Sequence, residues 1–294
     1  MTPEPRDASD TDLRGARATV IRRLTDAGVP DAEVDADLLL GHVLGLSRGG
    51  LHARLVVGGS LSDDDLSALA PLVERRVNRE PLQHITGRAP FRALDLHVGP
   101  GVFIPRPETE QVVQIAIDAL HAVADPAPVA VDLGSGSGAI ALALATEVPH
   151  ARVFAVEKSP DALPWTRRNI AEFGGESLTL VEGDLADALG DLDGSVAVVI
   201  SNPPYVPRTM MPVDPEVHLF DPEMALYGGE DGLDVIRILS GRARRLLRSG
   251  GLLVIEHAEH QSGEIAAILA ADSWRGVSHH RDFTMRDRAT TAVR

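Results

Sequence analysis

Apolar residues recur at helical spacing through the first part of the chain. Leu13, Ala16, Val20, Ile21 and Leu24 share one face of a helix over 13–27, and Gly28 follows as a stop. Asp31 stands where an N-cap is wanted for a second helix carrying Val34, Leu38, Leu39 and Val43. A third begins at Ser62. There Leu61 and Leu66 occupy the two positions of a hydrophobic staple, and Leu69, Leu72 and Val73 continue the stripe. These stripes predict a small all-helical unit ending near Arg79. Over 90–104 the pattern changes. Phe91, Leu94, Leu96 and Val98 precede Gly99-Pro100-Gly101, and Val102-Phe103-Ile104 follows, which predicts a hairpin turning at the glycines. Beyond Pro105 and Pro107, a helix over 108–123 carries Val112, Val113, Ile115, Ala116 and Leu120.

From residue 128, strand and helix signals alternate. Val129 to Val131 is a strand leading into glycines and a helix from about Ala139. Arg152 to Val156 is a second strand, after which Ser159 and Pro160 suit the N-cap and first position of a helix. Leu178 to Val181 and the wholly apolar Val196 to Ile200 are further strands, the latter of the buried parallel kind. A long helix over 233–247 is broken by Gly250-Gly251, and Leu252 to Ile255 is another strand. The segment from Val277 to Val293 reads as two strands with Asp282 to Arg288 between them. This alternation predicts an α/β fold with a doubly wound sheet.

Composition narrows the range of functions. The 294 residues carry a net charge of −15, and Lys158 is the single lysine. Proteins that grip duplex nucleic acid normally show a basic footprint, so direct nucleic-acid binding is disfavoured. Zero cysteines exclude disulfides, thiolate zinc sites and a cysteine nucleophile. No apolar run approaches the roughly 20 residues of a membrane span. Met1 to Asp12 is acidic and polar, unlike a targeting peptide, so a cytoplasmic protein without membrane attachment is expected.

Two loops carry candidate chemistry. Asp132-Leu133-Gly134-Ser135-Gly136-Ser137-Gly138 follows a strand and opens a helix. Glycines there let the backbone lie against a ligand that a Cβ would exclude. One strand later, the Glu157 carboxylate can accept hydrogen bonds from both hydroxyls of a ribose. The pattern also satisfies a looser dinucleotide fingerprint, so a nicotinamide cofactor stays open. The leading Asp132 and the short spacing favour S-adenosylmethionine. Asp184 follows the third strand, where an adenine amino group needs an acceptor, although a capping role suits it too.

The second loop is Ser201-Asn202-Pro203-Pro204-Tyr205, leaving the apolar strand at its C-terminal end, where ligands sit in open α/β sheets. Pro203 and Pro204 have no backbone N–H, so their carbonyls and the Asn202 carboxamide oxygen offer acceptors on a stiff turn. Tyr205 supplies a flat face for a planar group. An amide or exocyclic amino nitrogen is a poor nucleophile because its lone pair is delocalised. Acceptors aimed at its N–H groups orient that lone pair and stabilise the positive charge developing on nitrogen. Catalytic and substrate-binding roles therefore fall to Asn202, Pro203, Pro204 and Tyr205. Glutamine, asparagine and adenine all remain open as the methylated group, and a non-catalytic nucleotide-binding module is the alternative of another class.

Beyond these loops the chain resembles the protein-glutamine methyltransferases that modify peptide chain release factors, within the class I (Rossmann-like) methyltransferases. The similarity lies in Glu80-Pro81-Leu82-Gln83-His84-Ile85-Thr86-Gly87, in Phe103-Ile104-Pro105-Arg106-Pro107-Glu108-Thr109-Glu110 and in both loops. It continues through Phe220-Asp221-Pro222-Glu223, Gly250 to His257 and Arg281-Asp282. The resemblance implies a helical substrate-recognition domain over 1–80, a linker with a β-hairpin over 81–107, and a seven-stranded methyltransferase domain over 108–294. It implies that the glutamine of a Gly-Gly-Gln motif in release factors receives the methyl group at its side-chain nitrogen, leaving S-adenosylhomocysteine. Gly134, Ser135, Gly136, Ser137, Gly138, Glu157, Asp184, Leu185 and Asn202 would then hold the donor, with Phe103 and Arg106 lining its pocket. At Leu185 some members carry an aromatic residue, and stacking on adenine is lost here. A glutamine in a ribosomal protein stays open as an alternative substrate, and a monomer is expected. His257 and His260 are spaced i, i+3 at a strand end without a third ligand, so no metal is expected.

Overall fold

A computed structural model describes residues 12–294; Met1 to Thr11, and with them most of the segment read as lacking a targeting signal, lie outside the described residues. In chain order the first elements are α1 (Leu13–Asp26), α2 (Ala32–Leu44), α3 (Arg48–Val57), α4 (Asp63–Val77) and α5 (Leu82–Thr86). The hairpin β1 (Arg88–Phe91) and β2 (Leu94–His97) follows, then α6 (Pro107–Ala122). Next come β3 (Val129–Leu133), α7 (Ala139–Glu147), β4 (Arg152–Glu157), α8 (Leu163–Asn169), β5 (Leu178–Glu182) and β6 (Val196–Ser201). The chain ends with α9 (Pro215–Phe220), α10 (Glu223–Leu226), α11 (Asp234–Leu246), β7 (Leu247–Glu256), α12 (Ser262–Ala271), β8 (Arg275–Arg281) and β9 (Asp287–Val293).

Two compact units result. One runs to Gly87 and also takes in Val213–Phe220; the other holds Arg88–Pro212 and Asp221–Arg294. In the helical unit Leu13, Leu24, Leu39, Leu40 and Leu51 are fully buried in a single cluster. Ser62 and Asp65 form a reciprocal capping box at the start of α4, with Leu61 and Leu66 in the same cluster. Asp31 differs from the expectation. Its side chain makes no cap bond, and only its carbonyl accepts the Asp35 N–H. The helices α3 and α5 escaped the stripe reading because each is short, and α3 buries one residue, Leu51. Arg76 is buried between Asp35 (2.6 Å) and Glu216 (2.7 Å), and Arg79 reaches the same Glu216 carboxylate. That charge pairing brings residues 213–220 into this unit.

In the second unit the hairpin turns earlier than the glycines suggest. β1 and β2 pair from Arg88 with His97 to Phe91 with Leu94, so the turn is Arg92-Ala93 rather than Gly99–Gly101. Arg92 adopts φ 52, an unusual left-handed conformation for a side-chain-bearing residue. Its N–H donates to Glu110, and its guanidinium donates to the Glu110 carbonyl and to Glu147, which holds it there. The glycines serve close approach instead. A Cβ on Gly99 would stand 2.4 Å from the Trp165 ring, and Trp165 Nε1 donates to the Pro100 carbonyl. Tertiary contacts override the local turn signal.

The large sheet has the order β5-β4-β3-β6-β7-β9-β8. β9 runs antiparallel to both β7 and β8, while β3 to β7 are mutually parallel. One apolar cluster covers each face: α6 and α7 pack on one, α11 and α12 on the other. Two boundaries and one element differ from the sequence reading. β7 begins at Leu247 and carries Gly250-Gly251 within a register shift, where a break was expected. α8 starts at Leu163, because Ser159 caps only the turn before it, its Oγ accepting the Ala162 N–H. α12 lay unread between two strand signals. β3 pairs with β4 on one side and β6 on the other, so the order reverses there, and the C-terminal ends of β3 and β6 open on one crevice.

Candidate active site

The glycine loop leaves β3 at that crevice. Gly134 (φ 81), Gly136 (φ 55) and Gly138 (φ 85) all lie in the left-handed region. At Gly134 and Gly136 an added Cβ would meet nothing within 4 Å, so both glycines line open space, as a cradle for a ligand requires. The Gly134 and Ser135 N–H groups donate to the Val156 carbonyl, which ties the loop to β4. Asp132 is fully buried and hydrogen-bonded to Ser135 Oγ at 2.5 Å; burial pushes its carboxyl up to about 7.

Glu157 ends β4 and is buried. One carboxylate oxygen accepts the Gly136 N–H at 2.7 Å; the other accepts the N–H groups of Lys158 and Ser159. The residue thus shapes the glycine loop as well as facing it, a role its spacing did not announce. Asp184 is exposed, accepts the Ala186 N–H and pairs with Lys158 Nζ at 3.2 Å. Those donors, the Ala186 N–H first, hold its carboxyl below the ordinary range. Leu185 beside it is buried in the apolar cluster of the α11 face. From the linker, the Arg106 guanidinium lies 5.0 Å over the Phe103 ring and donates to the buried Asp221 carboxylate at 2.6 Å.

The second loop leaves β6, next to β3. Ser201 Oγ donates to the Leu133 carbonyl at 2.5 Å, binding the roots of the two loops together. The Asn202 carboxamide makes no hydrogen bond to another described residue, nor do the Pro203 and Pro204 carbonyls accept one. Pro204 O is packed against Gly228, whose added Cβ would come within 2.4 Å of it. The acceptors left open on this turn are therefore the Asn202 carboxamide and the Pro203 carbonyl. Tyr205 is partly exposed. Its phenol is pushed up to about 12 by burial and then by the Glu256 charge, so it stays protonated at neutral pH. Glu256, at the end of β7, is itself raised to about 7 by burial, against the pull of Thr109 and Arg288.

Three residues that bear on the site were not read from sequence. Asn169 on α8 is fully buried and links the glycine loop to the hairpin: its Nδ2 donates to the Ser137 and His97 carbonyls, and its Oδ1 accepts the His97 N–H. Thr166 Oγ1 donates to the Gly136 carbonyl at 2.6 Å. Gln261 Nε2 donates to the Tyr205 carbonyl at 2.9 Å. None lies in a local motif. Among the described residues no group of three or more His, Asp or Glu is arranged to hold a metal, and His257 is instead hydrogen-bonded to Thr290.

Comparison with known proteins gives the family. Residues 16–87 match the model of the PrmC N-terminal domain, and 93–214 that of the methyltransferase small domain. A release factor glutamine methyltransferase of Streptomyces coelicolor is 51% identical over 278 residues, 94% of this chain and 95% of the relative. A 4-amino-L-phenylalanine/4-methylamino-L-phenylalanine methyltransferase of Streptomyces pristinaespiralis is 38% identical, covering 92% of this chain and 91% of the relative. Among solved structures, a methyltransferase from Pyrococcus furiosus shares the fold with a TM-score of 0.51 at 18% identity, over 69% of this chain and 89% of that one. With a class I methyltransferase sheet, two loops meeting at its reversal point and a near full-length relative at 51% identity, the chain belongs to the release factor glutamine methyltransferase family.

Proposed function

We propose that the protein transfers a methyl group from S-adenosylmethionine to the side-chain amide nitrogen of the glutamine in the Gly-Gly-Gln motif of peptide chain release factors, leaving S-adenosylhomocysteine. The pair of unengaged acceptors, the Asn202 carboxamide and the Pro203 carbonyl, rooted beside the open glycine cradle, carries methyl transfer to a planar nitrogen, and the 51% identical relative supports a release-factor glutamine as its owner.

The residues suit the donor. Gly134 to Gly138 allow backbone to approach it, Glu157 has a buried carboxylate at the position that reads a ribose, and Asp184 and Leu185 offer an acceptor and an apolar surface for adenine. Phe103 and Arg106, packed against each other in the linker, line the donor pocket in this reading. When bound, S-adenosylmethionine supplies a methyl group already activated on a sulfonium, so the nitrogen needs neither a strong base before attack nor a metal. Asn202 and Pro203 accept from the two amide N–H groups and so turn the nitrogen lone pair out of conjugation. They also stabilise the charge that develops on nitrogen. Neutral Tyr205 gives a flat surface for the amide plane. The surplus proton leaves nitrogen after transfer, when its acidity has risen.

In this reading the helical unit recognises the protein substrate and the enzyme acts as a cytoplasmic monomer without binding nucleic acid directly. No helix among the described residues is long and apolar enough to cross a membrane. A pair of exposed valines, Val56 and Val57 at the end of α3, offers a test of the helical unit's part. Changing both to Asp raises KM for the release factor while the donor Kd stays constant; unchanged KM speaks against recognition at that edge.

Intact-mass analysis of a release factor after incubation, with peptide mapping, tests the whole reading. One methyl on the Gly-Gly-Gln glutamine is expected, and none on a substrate with that glutamine replaced. Asn202→Ala lowers turnover by on the order of 10²-fold while donor binding stays nearly intact, the usual scale for removing a preorganised stabilising group. Equal labelling of both substrates, or an unaltered rate in the variant, sinks the assignment. The 38% identical relative makes free 4-aminophenylalanine the control substrate, on which no methylation is expected.

A further inference from the structure

The Asn202–Tyr205 turn has a mechanical problem. Two of its four residues are prolines, so it has few N–H groups with which to anchor itself. Upstream it is fixed by the β6 ladder and by Ser201 Oγ on the Leu133 carbonyl. Downstream, Val206 N–H donates to the Leu226 carbonyl and the Val206 carbonyl accepts from Gly228. Between these points the backbone of Pro203, Pro204 and Tyr205 takes one hydrogen bond from the described residues, that of Gln261 Nε2 to the Tyr205 carbonyl at 2.9 Å.

Gln261 is built for this purpose. It is 2% exposed, so no water competes for its amide. Its Oε1 accepts the Ala258 N–H at 3.1 Å, which leaves only the NH2 end to face Tyr205. Its backbone is held at both ends: the N–H donates to the Ala258 carbonyl, and its own carbonyl accepts from Ile265 at the start of α12. Sterics on the other side agree. A Cβ on Gly232, which has φ 77, would lie 2.3 Å from the Tyr205 carbonyl and 3.0 Å from Gln261 Nε2. The chain thus keeps this bond clear of side chains.

We propose that Gln261 is a positioning residue for methyl transfer. Through the Tyr205 carbonyl it fixes the Asn202–Tyr205 turn, and so sets where the Asn202 and Pro203 acceptors stand. The inference rests on the catalytic reading of that turn. Effective catalysis depends on sub-ångström placement of such groups, so loosening the turn lowers kcat and leaves donor binding alone.

The test compares Gln261→Leu and Gln261→Glu with wild type on a release factor, measuring kcat, KM and donor Kd. Gln261→Leu removes the donor at every pH and lowers kcat by on the order of 10-fold or more. Gln261→Glu keeps the shape and the bond from Ala258. When ionised it sets an acceptor against the Tyr205 carbonyl; when protonated it restores a donor. Its kcat relative to wild type therefore rises as pH falls from 8.5 to 6, while the Leu ratio stays flat. Groups titrating in all three proteins cancel in these ratios, including Glu256 and His257 nearby and Asp287 opposite the start of α12. Donor Kd stays within about 2-fold throughout.

Wild-type kcat in both variants overturns the proposal, as does a loss that tracks donor affinity. If Gln261→Leu does not fold, the pH ratio of Gln261→Glu decides alone: a rise at low pH supports positioning and a flat ratio refutes it. Asn202→Ala run alongside separates the two claims. If that variant keeps full rate, the catalytic reading of the turn fails; if it alone is slow, only the role of Gln261 fails.

Discussion

Replacing Asn169 by Leu tests the idea that the glycine loop is held from outside itself. The side chain is fully buried and serves three backbone groups: it donates to the carbonyls of His97 (2.9 Å) and Ser137 (2.9 Å), and accepts the His97 N–H (2.7 Å). A buried intramolecular hydrogen bond contributes about 1 kcal/mol net, so losing three costs about 3 kcal/mol. The stranded backbone groups push this higher, toward roughly 5 kcal/mol, because a leucine of similar size admits no water to them. Marginal domains survive such a loss at 25 °C only when their reserve exceeds it. Ser137 lies inside the glycine loop, so the same change loosens the donor cradle, and a 10-fold weaker Kd corresponds to about 1.4 kcal/mol.

The assay is convenient because both tryptophans, Trp165 and Trp274, belong to the sheet-containing unit. Urea denaturation followed by their fluorescence reports that unit without a signal from the helical one, which avoids treating two units as a single transition. Calorimetry gives the donor Kd. A stability loss below about 1 kcal/mol with unaltered donor affinity refutes the reasoning, because three buried bonds would then be energetically silent.

Met285→Gly raises the stability of the same unit by about 0.5 kcal/mol: Met285 holds φ 65 while two-thirds exposed, and relief of that strain exceeds the entropy glycine adds to the unfolded chain. An unchanged or lower urea midpoint counts against it. Glu256→Gln changes the pH dependence of stability. The Glu256 pKa is raised from 4.5 to about 7, so the folded state holds its proton longer than the unfolded one; the associated stability is full below about 4.5 and is lost as pH rises through about 7. The variant lacks that loss, and its unfolding free energy from urea titrations gains on wild type by on the order of 2 kcal/mol between pH 5 and 8; a change of the opposite sign refutes the assignment. Combining Asn169→Leu with Gln261→Leu gives additive stability losses, since the two side chains share no partner; a coupling energy above about 1 kcal/mol in the double-mutant cycle would contradict independent anchoring.

What could be read from sequence was local. The alternation of strand and helix signals, the glycine loop and the Asn-Pro-Pro-Tyr turn each rest on residues adjacent in the chain. Their placement at one sheet reversal point followed from the fold class. What could not be read depends on partners far apart. Asn169 meets His97 across 72 residues and Gln261 meets Tyr205 across 56, and neither neighbourhood has a periodicity or spacing that announces it. The hairpin was misplaced for a related reason. Gly99-Pro100-Gly101 has turn chemistry, yet the turn falls at Arg92, whose unfavourable backbone is held by Glu110 and Glu147. Likewise α12 and the Gly250 register shift carry ordinary composition and become visible only once the sheet is assembled.

The two loops meet one physical constraint in complementary ways. A glycine loop has given up side chains, and a proline turn has given up N–H donors, so each lacks groups with which to hold its own shape. Both are restrained by a carboxamide from a distant helical segment. Asn169 lies on α8, and Gln261 immediately precedes α12. A carboxamide suits the task because it donates from one end and accepts at the other while carrying no charge. Buried, it can satisfy backbone on two segments at once without the desolvation cost of a carboxylate or an ammonium. On the glycine loop a charged and a neutral restraint divide the work: the Glu157 carboxylate accepts the Gly136 N–H, while Asn169 donates to the Ser137 carbonyl, which a carboxylate could not hold. On the Asn202–Tyr205 turn the donor that holds the backbone is neutral, so the Asn202 and Pro203 acceptor dipoles are placed without adding a positive charge that would oppose a cation developing on the amide nitrogen.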